Sequence, residues 1–482
     1  MRYDLVLLNT VLIPVAGAFI LPLVARISLK TRDFAALGLV LASFVFSLLL
    51  IPQIMAGRAV IIFSQLPLGF NFVLTADALA VFMACVSSFI SAIIILYSFG
   101  YISHYENQNE YYTMVVLFLG AMMGLVFAGN LILLYVFWEI TAITSWRLIG
   151  FFREKKHVIC ADKAFLVTMF GAVLMLIGFI SIFQQTGSFD LAVIKESVKT
   201  NPVSNLAIAL ILVGIFSKSA TLPFHTWLPD AGVAPSPVTA LLHAAILVKI
   251  GVYVFARLFL TTFSLAQFWH TAVPIIAAIS AIVSAGAALR ETDIKRIIAY
   301  STVSQIGFIF LGLSIGNELA VAGGLLYILM HGLAKAGLFL CAGIIEQNTK
   351  TKDITKLGGL IKTMPVTAMA FLFCAFSVMG IPPFGGFFSK YMVFAGAVET
   401  GHLWIVFAFL VGAFLTILYL FRVFNLVFLG EARSLIQAKE KSPIMVTSVA
   451  ILAVLSLVGG IFINYPCGFV QIILANMAGI IK

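Results

Sequence analysis

The chain has 482 residues, of which 62% are hydrophobic and 10% charged, with a net charge of +10 and a mean hydropathy of +1.13. No water-soluble core takes up that much apolar surface, so the composition points to an integral membrane protein. It excludes a soluble enzyme, and the basic surplus reads as membrane sidedness and not as a nucleic-acid footprint.

Taken in order, apolar runs of about 20 residues alternate with short polar loops, the length that carries a helix across roughly 30 Å of hydrocarbon. Fourteen spans are expected, centred near residues 15, 44, 88, 120, 139, 173, 214, 248, 280, 306, 334, 376, 416 and 455. No period-two alternation is sustained, which excludes a barrel. The first run, "LVLLNTVLIPVAGAFILPLVA", is too long for a signal-peptide core and lacks a small-residue cleavage site, so it reads as a retained helix.

Alternating the loops between two sides gives one side nineteen basic residues, among them Arg32, Arg147, Lys163, Lys295 and Arg433. The other side receives six, among them Arg257 and Lys482. The basic side is then cytoplasmic and both termini face out. Four lysines remain inside spans: Lys218, Lys249, Lys335 and Lys390. Of the acids, Glu139 lies near a span centre. An ionisable group at mid-membrane costs a few kcal/mol or more and marks function by default.

Two spans are expected to break. "SKSATLPFHTWLPDAGVAPSPVTALLHAAILVK" (217–249) meets Pro223 five residues after Lys218. "GIPPFGGFFSK" (380–390) carries Pro382, Pro383, Gly385 and Gly386 ahead of Lys390. Proline removes a backbone hydrogen bond, and the freed carbonyls must face protein or water. Interrupted spans of opposite direction suggest an inverted repeat with an ion site near the midplane. His331 and Lys335 share a helix face, as do Lys249 and Tyr253. His243 stands six residues before Lys249, about 9 Å along a regular helix and on another face. "AYSTVSQIGF" (299–308) adds Ser301, Thr302, Ser304 and Gln305 to one span.

The five cysteines (85, 160, 341, 374 and 467) form no C-x-x-C pair, which argues against an iron–sulfur cluster, c-type haem or structural zinc in this chain. No Rossmann glycine fingerprint and no P-loop is present. His225 and Asp230 could be imagined on a quinone, but beside prolines at a cytoplasmic mouth they read more simply as loop caps and a proton entry.

"LILLYVFWEITAITSWRLIGF" (131–151), the 217–249 stretch, "ETDIKRIIAYSTVSQIGF" (291–308), "MHGLAKAGLFLCAG" (330–343) and "GIPPFGGFFSK" together resemble the antiporter-like subunits of respiratory complex I. That family includes the large subunits of Mrp-type sodium/proton antiporters and the membrane arms of energy-converting hydrogenases. The resemblance covers about residues 70–430. It implies an all-α polytopic fold of about 14 helices, with two inverted five-helix repeats (spans 4–8 and 9–13), each holding a broken helix. The segments are then 1–110, 111–262, 263–430 and 431–482.

By motif, the resemblance gives proton-carrying roles to Glu139, to Lys218 at the first break, to Lys249, and to Lys390 at the second break. His243 and the His331/Lys335 pair match central relay positions, with His225 secondary. Two departures stand out: Trp146–Arg147 replaces Tyr–Leu-like residues, with Arg147 expected at the cytoplasmic edge, and the chain as given ends soon after span 14.

The expected function is proton translocation by a membrane subunit of a multi-subunit, redox-driven complex. Burial weakens a lysine's hold on its proton and a nearby carboxylate restores it, so movement of Glu139 relative to Lys218 would switch the site. No cofactor is expected on this chain, while iron–sulfur, flavin or nickel–iron centres would sit in partner subunits. Expected partners are membrane-arm subunits, lipid, a peripheral redox arm and H+ or Na+, in a bacterial or archaeal cytoplasmic membrane. The alternatives are a subunit of an Mrp-type Na+/H+ antiporter and the proton-conducting partner of an inorganic-carbon uptake complex.

Overall fold

The computed structural model describes residues 2–65, 67, 71–263, 266–431 and 439–477. Arg433 and Lys482, used in the charge count, lie outside the described residues, as does part of the 431–482 segment.

The chain begins with helices α1 (Tyr3–Val24) and α2 (Leu29–Met55). A hairpin the helix reading did not anticipate follows: β1 (Val60–Gln65) pairs antiparallel with β2 (Asn71–Ala76), Val60 opposite Ala76. Next come α3 (Ala78–Tyr101), α4 (Gln108–Phe127), α5 (Leu131–Ile149), α6 (Lys155–Thr186) and the short α7 (Leu191–Ser197). The first broken span comprises α8 (Asn205–Lys218) and α9 (Trp227–Asp230). It leads into α10 (Ser236–Ala240), a π turn (Leu241–Ala245) and α11 (Leu247–Phe259).

The second half holds α12 (Trp269–Arg290), α13 (Ile294–Ser314) and α14 (Glu318–Thr349). The second broken span comprises α15 (Pro365–Met379) and α16 (Gly385–Glu399). The final helices are α17 (Leu403–Phe428), α18 (Pro443–Ile461) and α19 (Asn464–Met477), the last an addition to the expected spans.

Among the described residues, twelve helical segments are long and apolar enough to cross a membrane; α8 and α15 are shorter apolar helices. Every expected span centre falls on a helix. Helix is the required form, because a lipid-facing backbone must bond within its own segment. The starts are set by polar caps: the side chains of Asp77, Asn130, Ser204, Asp293 and Asn317 accept from backbone N–H groups of the first turn.

Burial divides the helices into two kinds. The π turn, α10, α11, α13 and α14 are buried on nearly every side, so they form the centre. By contrast α1, α2, α6, α12 and α17 expose large apolar side chains such as Phe19, Phe34, Leu166, Ile279 and Phe414 on one face. That is the pattern of a bundle whose outer helices meet lipid or neighbouring subunits.

One tertiary feature occurs twice. Leu131 N donates to Phe189 O and Leu191 N to Gly129 O, tying the start of α5 to the residues after α6. Ile294 N donates to Lys352 O and Ile354 N to Thr292 O, tying the start of α13 to the residues after α14. All four partners shift by the same number of residues. The long helices α6 and α14 each span 32 residues, and each ends on a left-handed residue, Gly187 at φ 70° and Lys350 at φ 57°.

Candidate functional site

The first break lies at the end of α8. Lys218 is the last residue of the helix, where the partial negative charge of the exposed carbonyls favours a cation. The freed Ser217 carbonyl accepts from Trp227 Nε1 at 3.0 Å. Lys218, fully buried, donates to the Trp138 carbonyl at 3.1 Å and lies 5.2 Å from the Trp138 ring centroid.

Glu139 is therefore next in sequence to the group Lys218 touches, and the two side chains feel each other's charge without forming a bond. Both carboxylate oxygens of Glu139 are buried without a hydrogen bond of regular geometry among the described residues, and the Tyr135 hydroxyl is a polar group close to them. The expected Glu139–Lys218 pair is thus a proximity across one residue, not a contact.

The second break repeats this arrangement with the lysine arriving from the other side. Helix α15 ends at Met379, and Gly380 turns the chain at φ 81°. Lys390, on α16, reaches back to the Val378 carbonyl at 2.6 Å. It too sits at the negative end of a half-helix, over the rings of Phe308 (4.9 Å) and Tyr327 (5.5 Å). The half-helices cross so closely that a Cβ on Gly386 would collide with the Ser377 carbonyl oxygen.

Between the breaks, the central helices carry the remaining residues. Lys249, fully buried on α11, donates to the Ile328 carbonyl of α14. Gly332, one turn further along α14, leaves the space its ammonium occupies. The regular helix expected between His243 and Lys249 is not found. His243 lies in the π turn, and Ile246 departs to φ −127° and ψ −74°. The wider turn alters the face His243 presents, and its ring packs against Phe339 of α14 at 4.4 Å.

His331 lies 5.8 Å from the Tyr327 ring. Both nitrogens of His243 and of His331 are buried without a partner among the described residues. Lys335 donates to the Ile298 carbonyl at 3.2 Å and to the Ser301 hydroxyl of α13.

From Lys335 an unbroken hydrogen-bonded line runs toward Lys390. The Ser301 hydroxyl bonds that of Tyr419 at 2.6 Å, and Gln305 Nε2 reaches Tyr419 at 3.4 Å and Thr416 at 3.1 Å. Tyr327 donates to Gln305 Oε1 at 2.6 Å, and its ring faces Lys390. Ser301 and Gln305 were visible in the sequence, whereas Tyr327, Thr416 and Tyr419 were not. The helical interval Tyr327–His331–Lys335 was the available signal for the first.

At the basic face, Asp230 bonds Lys163 and Arg296, each at 2.7 Å, and Arg296 continues to Glu291 at 3.0 Å. Partial burial opposes ionisation of Asp230, but the bonds from Lys163 and Arg296 outweigh it and hold the carboxyl below its ordinary value of 3.8. His225 lies in the loop between α8 and α9, half-buried, and joins none of these bonds. Arg147 pairs with Glu110, which also takes Arg153, so it is held away from Glu139 at the membrane edge.

Three basic residues assigned to loops are buried instead. Arg32 is enclosed by Asp33, Gln108 and Asn109. Lys295 bonds the Ala234 carbonyl at 2.8 Å and Glu346 at 3.1 Å, and Arg257 bonds Asp77.

The family described as "NADH:quinone oxidoreductase/Mrp antiporter, TM" matches residues 128–416, and "NADH-Ubiquinone oxidoreductase (complex I), chain 5 N-terminus" matches 63–112. The chain is 36% identical over 485 residues to Na(+)/H(+) antiporter subunit A1 of Staphylococcus haemolyticus, and 34% identical over 486 residues to that of Staphylococcus aureus. Each alignment takes in 94% of this chain and 60% of the relative, so the chain spans about 60% of the length of these curated relatives.

Among solved structures, a chain of the Mrp complex from Dietzia sp. DQ12-45-1b shares the fold at TM-score 0.91 and 22% identity, with 99% and 98% of the two chains covered. A chain of the membrane-bound sulfane sulfur reductase, an archaeal respiratory membrane complex, matches at TM-score 0.90 and 25% identity, with 98% of each covered. The broken helices, the buried lysines and these matches lead to one conclusion: this chain belongs to the NADH:quinone oxidoreductase/Mrp antiporter family of membrane subunits.

Proposed function

We propose that this chain translocates protons as the antiporter-like subunit of a multi-subunit membrane complex. The observation that carries the reading is the buried series Lys218, Lys249, Lys335 and Lys390, two of them at half-helix ends and two on the central helices. Each ammonium has a backbone carbonyl as acceptor and, among the described residues, no bonded carboxylate, so its proton can be given up without breaking an ion pair. His243 and His331, with unpartnered nitrogens, fit as relays that water bridges between Lys249 and Lys335. The Ser301–Tyr419 pair, with Tyr327 across the Gln305 amide, then lines the step to Lys390, with water carrying the proton past the amide. Glu139 tunes Lys218, and His225 stands at the entry.

Two inverted repeats, 111–262 and 263–430, accompany this reading, within fourteen crossings. The duplicated bridge at the starts of α5 and α13 supports them. With crossings alternating and both termini outside, the two bridges fall on opposite faces.

The driving assembly is read first as a redox complex. Its iron–sulfur, flavin or nickel–iron centres belong to partner subunits, and the likeness to a sulfane sulfur reductase chain supports it. The 36% identity to an Na+/H+ antiporter subunit favours a second reading, in which the same line exchanges H+ against Na+.

The test is purification of the native complex in mild detergent, subunit identification by mass spectrometry, and reconstitution. Redox subunits with donor-driven proton uptake support the first reading. Small membrane partners alone, with uptake driven by a Na+ gradient, support the second. A complex that moves no protons overturns both.

A further inference from the structure

Tyr253 and Arg257 have no place in the line to Lys390, yet they extend from Lys249 in another direction. On α11 the three residues follow at intervals of four and share one helix face. The Tyr253 hydroxyl accepts from Arg257 Nε at 2.9 Å and Nη2 at 2.8 Å, and donates to the Val126 carbonyl. Arg257 then holds Asp77 through two bonds, of 2.5 and 2.8 Å.

Both ends of that pair line a cavity of about 510 Å³. Residues of the hairpin (Phe63, Thr75), Asp190 and Lys195 line the same cavity. It lies at the C-terminal end of α11, whereas the Asp230 network precedes α10 at the other end of the same span. Arg257 is 6% exposed, while the Asp77 side chain is 27% exposed, so the carboxylate is the member that meets water.

We propose that Lys249, Tyr253, Asp77 and Arg257 form a proton outlet, which delivers protons from Lys249 into the cavity beside the hairpin without passing Lys390. The proposal rests on the proton-translocating reading. One turn, about 6 Å of rise along α11, separates Lys249 from Tyr253, so the outlet requires water to bridge the two side chains. The proton leaves the Lys249 ammonium for that water. It moves to the Tyr253 oxygen as the hydroxyl, turned away from the Val126 carbonyl, gives its own proton to a second water that passes one to an Asp77 oxygen across Arg257, and cavity water takes it from there.

Lys249 ends neutral, and Tyr253 and Asp77 return to their starting states. Arg257 keeps its proton throughout. It holds Tyr253 and Asp77 in line. An ion pair that only anchored the start of α3 would need neither the tyrosine nor the cavity.

The experiment uses the whole complex in proteoliposomes with Ala192→Cys, an exposed position on the cavity wall. A membrane-impermeant cationic methanethiosulfonate is added from the cavity face, with the wild-type complex as the control for native cysteines. The unlabelled variant should move protons at the wild-type rate, and labelling should slow it by about tenfold, the scale of a lost proton-transfer partner. A small neutral thiosulfonate on the same thiol should leave the rate unchanged.

Asp77→Asn, which keeps the shape, should also slow translocation while the complex assembles. Labelling without loss of rate overturns the outlet, as does a thiol in the intact complex that never reacts, since the cavity is then closed to water. Asp77→Asn at the wild-type rate overturns it as well. If the wild-type complex moves no protons, the failure is that of the proposed function.

Discussion

Gly332 offers a direct probe of whether the position of the Lys249 ammonium matters. A Cβ at this site would lie 2.6 Å from Lys249 Nζ and 2.6 Å from Ile90 Cδ1. Ordinary contact begins near 3.4 Å, so the ammonium in Gly332→Ala must withdraw by about 0.8 Å. Its flexible stem permits this, so overpacking should cost about 1–3 kcal/mol and the complex should still assemble. The bond to the Ile328 carbonyl, of a class worth about 1.5–3 kcal/mol, is then stretched or lost.

Displacements of this size cost up to about 100-fold where groups must be aligned, so translocation should fall tenfold or more. The assay is ΔpH formation in proteoliposomes, normalised to subunit content. Gly286→Ala, with nothing within 4 Å of the added methyl, is the control and should be silent. A Gly332→Ala complex that assembles and pumps at the wild-type rate would refute the argument that the Lys249 position is functional.

The other predictions follow the same line of residues. Lys218→Met and Lys249→Met should each assemble and lose translocation; normal pumping by both, measured as ΔpH formation, would remove the central claim. Tyr419→Phe takes one hydrogen-bond partner from Ser301 and one from Gln305, which keep Lys335 and Thr416, so it should cost about 0.5–1.5 kcal/mol in thermal unfolding and slow pumping. A matching Thr416→Val variant, whose hydroxyl meets Gln305 and its own helix's Gly412 carbonyl, should slow it less. Gly386→Ala drives a methyl into the Ser377 carbonyl of the neighbouring half-helix, so the yield of assembled complex on native gels should drop sharply.

Asp230→Asn should lower the melting temperature at pH 7. The folded carboxyl titrates below its unfolded value of 3.8, so its contribution is present above that value and lost as pH falls through the folded one. The gap between variant and wild type should therefore close only under pH 3.8; a gap already closed at pH 5 would contradict the ion-pair account.

Much of the site could be read from the chain because its chemistry is out of place there. A lysine in an apolar run, as at 218, 249 and 335, has no bland reading, and Pro–Pro with Gly–Gly inside a span announces a break. The residues that escaped notice are those whose chemistry looks ordinary for a membrane helix. Tyr327 and Tyr419 are common in such runs, and only the approach of α13, α14 and α17 joins them in one hydrogen-bonded line. Arg32 and Lys295 stand near span ends beside polar residues, Arg257 stands near the end of its span, and all three read as loop charges. Their burial comes from other helices, which no local pattern encodes. The hairpin was absorbed into a polar gap because two strands of six residues carry too short an alternation to stand out.

By itself, the sequence determined the solvent this protein lives in, its helical form, the places where two helices must break and the lysines that need an explanation. Those properties are local: hydrocarbon rewards apolar runs, proline forfeits a hydrogen bond, and a buried charge is costly wherever the chain goes. Tertiary structure alone decided which carbonyl each lysine meets, how the π turn aims His243, and that Glu139 stands near Lys218 without binding it. Those outcomes depend on how helices distant in sequence pack, and an ångström there separates a proton path from a sealed core.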